Sequence, residues 1–148
     1  MRPDHYKLMY AFVEWAGKQT YVDGIALIGL CADDENEEDS NLSFLLITDK
    51  KQKLAEAILH QFSFESLEQA SVEEYNKLTS IKVVYESGIE ADYGIANEDW
   101  LQMPLGNELG ASLAMGFKVI WETDELFDGL QRAISNYIAD QTRESFMD

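Results

Sequence analysis

One cysteine, two prolines and two histidines are all that the 148 residues supply of those types. A lone Cys31 forms no internal disulfide, and the N-terminus, Met1-Arg2-Pro3-Asp4, lacks the apolar stretch of a signal peptide, so the expected compartment is a reducing one, the cytoplasm. His5 and His60 stand too far apart for zinc-ligand spacing. Cations are scarce as well: 11 Lys plus Arg face 28 Asp plus Glu, a formal charge of -17. Binding to nucleic acid or anionic lipid relies on neutralising cations, so neither is expected as a partner. Apolar runs extend only a few residues against the ~20 that span a bilayer, and neither end carries a lipidation motif, so no membrane association is expected. Walker loop, Rossmann glycine fingerprint, Gly-x-Ser-x-Gly elbow and Cys-x-x-Cys pair are all missing, which removes the common enzyme signatures. No repeat, low-complexity tract or Pro/Gly/Ser-rich linker divides the chain, so residues 1–148 read as one domain with a short polar tail after about Ala139.

What is present suffices for a core. Hydrophobic residues make up 46% of the chain, and a chain of this length buries roughly 68–70% of its unfolded surface. Leu8, Met9, Phe12, Val13, Trp15 and Ala16 recur at helical spacing over 4–18, with Asp4 as the expected N-cap. Ile25-Ala26-Leu27-Ile28-Gly29 suits a buried strand ending in Gly, and Leu42 to Thr48 a second strand. Asp49 is the expected cap of a helix over about 50–61. From Ser80 to Ala96 the pattern predicts a hairpin. A three-residue loop, Glu86-Ser87-Gly88, with Gly88 left-handed, places Ile81, Val83 and Tyr85 on one face with Tyr93, Ala91 and Ile89 and sets Lys82 opposite Asp92. A two-residue loop mixes the faces. Trp100 and Leu101 follow on a short turn or helix, Phe117 to Trp121 reads as the last strand, and Thr123 as the cap of a helix over about 124–139. The fold class expected is α/β or α+β, a mixed sheet with helices packed on it.

The succession of strand, Gly, polar loop, strand and later acidic strand resembles the DNA polymerase beta-like nucleotidyltransferases, including the small bacterial enzymes that adenylylate aminoglycosides and lincosamides. In that family a strand ends in Gly-Ser, the next opens Ser-Asp-hydrophobic-Asp, and a later strand gives a third acid. The resemblance runs over about residues 22–121. Gly29 holds the Gly position, Ser40 the Ser before the acidic pair, and Asp92 in Ile89-Glu90-Ala91-Asp92-Tyr93-Gly94 the third acid; Trp100, Pro104-Leu105-Gly106 and Gly116 to Ile120 extend it. It implies a nucleotidyltransferase fold with a degenerate active site. Leu30 stands where the family's Ser holds a nucleotide phosphate, so the nucleotide-binding pair Gly29 and Leu30 is degenerate. Asn41 and Ser43 stand where the two metal-binding aspartates belong, on one face of the strand.

Nucleotidyl transfer needs hard Mg²⁺ ions bridging triphosphate and hydroxyl, and carboxylates to hold them. At an effective dielectric of ~20 a charge pair ~4 Å apart is worth about 4 kcal/mol, so each missing carboxylate costs about three decades of ion affinity. Sliding the pair to Asp39 moves the first acid roughly 6–7 Å along the chain and does not restore the site. The expectation is therefore no cofactor, with Mg²⁺ only if the site works, and Asp92 as a vestigial catalytic residue. On the structural reading Asp92 instead pairs Lys82 across the hairpin, with Glu90 on the same face.

The loop Asp33-Asp34-Glu35-Asn36-Glu37-Glu38-Asp39 holds six acids in seven residues, and no Lys or Arg occurs from Gln19 to Asp49. A triphosphate meets a negative field there. An EF-hand reading from Asp34 fails, because Asp39 falls at the obligatory Gly and Leu45 at the bidentate Glu. The loop reads as a solvated face or as a docking surface for a basic protein. Cys31 reads as a small buried hydrophobe, and Trp100 as packing or as a platform for a small-molecule ring. Three functions follow: a non-catalytic binding or regulatory protein, with a homodimer as one expected form; an active nucleotidyltransferase acting on a small molecule or protein hydroxyl; and, by analogy with minimal nucleotidyltransferase antitoxins, a module that caps a basic partner.

Overall fold

The computed structural model describes residues 3–32, 41–75, 77–102 and 107–147. In chain order these form α1 (Pro3–Gly17), β1 (Val22–Ile28), a 3-10 turn (Leu30–Ala32), β2 (Leu42–Thr48), α2 (Lys51–His60), β3 (Leu67–Tyr75), β4 (Leu78–Tyr85), β5 (Glu90–Ala96), a second 3-10 turn (Glu98–Gln102), α3 (Asn107–Ala114), β6 (Phe117–Glu122) and α4 (Asp128–Met147). The strands make one six-stranded sheet in the order β3-β4-β5-β2-β1-β6. β2 and β5 run parallel, and the other neighbours antiparallel. The expected mixed α+β class is what the molecule has.

β2 lies inside the sheet, and its run Leu42-Ser43-Phe44-Leu45-Leu46-Ile47 is apolar almost throughout because both faces of the strand are covered. One face takes Leu42, Phe44 and Leu46, which meet α1 and α2 through Leu8, Phe12, Leu54 and Ile58. Phe12 is the hub there, its ring centroid 4.8 Å from that of Phe44 and 4.7 Å from that of Tyr93. The other face takes Leu45 and Ile47 with Ala26 and Ala96 from neighbouring strands, under Trp100, Leu113, Phe127, Leu130 and Ile134. This second layer covers only part of its face. The strand positions beyond it, around Ser43 and Asp92, are left open.

The β4–β5 hairpin has the expected register: Lys82 opposes Asp92, Ile81 opposes Tyr93 and Val83 opposes Ala91. Gly88 has φ +92, and the loop closes through Tyr85 N–H to Ile89 C=O at 2.9 Å. Only glycine takes that φ without a steric cost.

Several boundaries differ from expectation. α1 begins at Pro3, so Asp4 sits in its first turn, where it favours the helix dipole, and is not the N-cap. The N-cap of α2 is Lys50 without a side-chain cap, and not Asp49; Thr48 Oγ1 accepts the Lys50 N–H at 3.0 Å. Thr123 does not cap the last helix either. Asp124 and Glu125 take left-handed φ values of 50° and 55°, which delays the helix to Asp128. Glu122 Oε2 accepts the Phe127 N–H at 2.8 Å instead, while Thr123 Oγ1 donates to Asp23 C=O. That helix continues to Met147, so the polar tail expected after Ala139 is helical. β3 and α3 were not anticipated from the sequence.

Candidate functional site

Two strands build the site side by side. In the parallel β2–β5 pair, Ser43 is the register partner of Asp92, and Leu42 that of Ala91. Partners in adjacent strands project to the same face, and Asn41 shares that face two residues before Ser43. The three positions singled out in the sequence therefore come together, with Asn41 exposed and Ser43 and Asp92 half-buried. They line a cavity of about 610 Å³ whose remaining wall includes Gln69, Ser71, Lys82, Val84 and Glu90.

Asp92 takes a hydrogen bond from Ser80 Oγ at 2.7 Å, across a diagonal of the hairpin. Lys82 is its register partner, yet no ion pair joins the two. The pairing expected across the hairpin is thus one of register, with the hydroxyl supplying the contact. Glu90 shares this face as expected, two residues before Asp92. Sequence reading missed Ser80, although it alternates with Lys82 and so faces Asp92's side of the sheet. It also missed Gln69 and Ser71, which belong to the unanticipated β3.

The back of the site is held by Cys31. Its Sγ lies 3.2 Å from Ile28 C=O and accepts the Ser43 N–H at 3.4 Å. Burial pushes its thiol above the ordinary value, with the backbone hydrogen bonds opposing the shift, so the group is a neutral packing element at neutral pH. Gly29 ends β1 in the left-handed region, φ +79, and donates its N–H to Gly116 C=O at 2.8 Å. Leu30 opens a 3-10 turn of three residues, Leu30–Ala32. The acidic loop 33–39, Ser40 and the Pro104-Leu105-Gly106 segment lie outside the described residues.

The donor set at this face is two amides, hydroxyls, one half-buried carboxylate and one exposed carboxylate, accompanied by a lysine. Two Mg²⁺ ions need several anionic oxygens placed between them, and this set does not fit them. Among the described residues, no three His, Cys, Asp or Glu side chains converge closely enough to hold a metal ion. A second cavity, of about 340 Å³, is lined by Asp23, Asp49, Asn97, Glu98 and Asp99. Burial, and then the charge of Asp49, raise the pKa of Asp23 above the usual carboxylate value. Trp100 is 6% exposed and belongs to the second core cluster, so it packs instead of offering a stacking surface.

No family model matches the chain, and no curated protein matches it. Among solved structures, it is similar to an aminoglycoside 6-adenyltransferase from Bacillus subtilis, with a TM-score of 0.48 and 15% sequence identity; the match covers 69% of this chain and 39% of that one.

Proposed function

We propose that the protein is a nucleotidyltransferase-like, non-catalytic binding or regulatory module that takes a small polar ligand on the open half of its sheet. The observation that carries this reading is the β2–β5 register. Ser43 sits beside Asp92 with Asn41 on the same face, at the positions where the family resemblance calls for three carboxylates. One carboxylate, hydrogen-bonded to Ser80 and next to Lys82, suits recognition by hydrogen bonds and a single charge. It does not suit a metal-bridged triphosphate.

The test is calorimetric titration of Mg²⁺-ATP into the natural chain and into the double variant Asn41→Asp with Ser43→Asp. The natural chain is expected to give no saturable signal at millimolar nucleotide. The double variant is expected to gain Mg²⁺ affinity by about a hundredfold or more. Micromolar binding by the natural chain, with the ~2.7 kcal/mol of stabilisation that a hundredfold excess over Kd brings, establishes the enzyme reading instead. A double variant that stays silent removes positions 41 and 43 from the ancestral metal site.

A further inference from the structure

Among the described residues β3 ends the sheet and pairs only with β4, so one side of its nine residues has no strand partner there for its main-chain N–H and C=O groups. All nine residues are exposed, on both faces. Strands are usually 5–6 residues long, and proteins shorten, cover or charge their edges because an uncovered edge is a template for another strand. At the opposite end of the sheet β6 has six residues, most of them half-buried. β3 is thus the longer and barer edge.

Its chemistry is one-sided. Glu68, Glu73 and Glu74 are its only charged residues, and Glu74 is already engaged by the Thr79 hydroxyl at 3.0 Å. Val72 and Ala70 oppose Ile81 and Val83 and so continue the apolar face that α1 and α2 cover further in, with Leu67 opposite Tyr85 at the strand's start. Leu67 is 37% exposed and Val72 52%. On the other face lie Ser71, Glu73 and the ring of Tyr75, which is 63% exposed. A second copy of the chain brings the same glutamates and another charge of -17 to such a contact, whereas a cationic strand is drawn to it.

We propose that β3 is a docking edge for an extended segment of a basic partner protein. The segment adds to the sheet as a seventh strand. Lys or Arg side chains meet Glu73 and the Tyr75 ring on one face, and apolar side chains cover Leu67 and Val72 on the other. Main-chain hydrogen bonds supply the affinity and the alternation of side chains supplies the selectivity.

The probe is an alternating Lys–Val nonapeptide added to the full chain, read by residue-resolved hydrogen exchange. At tenfold excess over Kd, β3 amides are expected to exchange about tenfold more slowly while β6 is unaffected. A peptide of the same charge with Pro replacing each Val, which removes every second N–H group and fixes those φ angles away from the extended strand, is expected to leave β3 unprotected, as is an alternating Glu–Val peptide. The exposed double change Glu68→Lys with Glu73→Lys is expected to weaken the Lys–Val peptide about tenfold. Equal protection by the Pro-containing or Glu–Val peptide overturns the proposal. So does protection that survives the double change, or a dimer of the natural chain whose contact maps to β3.

Discussion

Tyr93 is fully buried, and its hydroxyl meets that of Tyr85 at 2.8 Å inside the first core cluster. Burial raises both phenols above their ordinary pKa, Tyr93 the further of the two, with Tyr85 adding to its shift. A raised phenol pKa means that the fold favours the neutral form. The resulting stability is fully present below about pH 10, the unfolded value, and is lost as pH climbs through the folded values. Alkaline unfolding followed by circular dichroism is therefore expected to steepen above about pH 10, and to do so less in the double variant Tyr85→Phe with Tyr93→Phe. At neutral pH, Tyr93→Phe alone leaves the Tyr85 hydroxyl without its partner and is expected to cost about 1–3 kcal/mol. Adding Tyr85→Phe should return part of that cost, and strictly additive losses in denaturant titrations count against the pair acting as a unit.

At the scale of elements, β1 and the turn before α4 approach each other closely. A Cβ on Gly24 falls 2.7 Å from the Phe127 ring and 2.8 Å from Leu126. Phe127 is fully buried and has nowhere to retreat. Gly24→Ala is expected to destabilise by about 1–3 kcal/mol in a urea titration, and paired with Phe127→Leu by less than the sum of the two single changes. The elements that were legible in the sequence are those that bury a face or a whole run. Residues 42–48 read as a strand because both faces are covered and the run is nearly continuous, and the β4–β5 register follows from setting Ile81, Val83 and Tyr85 on one face with Tyr93, Ala91 and Ile89. β3 has no buried face, so Leu67, Val72 and Tyr75 alternate with nothing, and its strand is invisible to a periodicity argument. α4 outran its apolar stripe, since residues after Ala139 such as Gln141 and Arg143 are good helix formers whose backbone needs no core contact. Asn41, Ser43 and Asp92 were singled out through the motif resemblance. Their adjacency was not, because parallel pairing joins strands distant in sequence and leaves no local pattern.

Across the whole molecule, charge is the dominant imbalance. The 28 acids include Asp23, Asp49, Glu98 and Asp99 around one cavity, opposite few cations. Among the described residues the ion pair Lys18–Glu14 is an exposed one within α1, at 3.4 Å, and such pairs contribute little. Self-repulsion of this kind is screened over ~10 Å at 0.1 M salt. Raising NaCl from roughly 10 mM to 500 mM at neutral pH is expected to lift Tm, by about 2–4 °C for each kcal/mol of repulsion relieved, as read by calorimetry. A flat response indicates that the charges are spaced widely enough to ignore one another.

The parallel junction of β2 with β5 has a consequence for assembly. β6, β1 and β2 form one antiparallel unit and β3, β4 and β5 another, the second joined by short connections between neighbours. The junction is where these two units meet, and it joins strands far apart in sequence, a pairing that carries a large loop-closure cost. Ser43 and Asp92 sit on opposite sides of that join. A molecule bridging them binds the folded join and not the separated strands, so its occupancy adds to folding stability in proportion to the logarithm of its concentration over Kd.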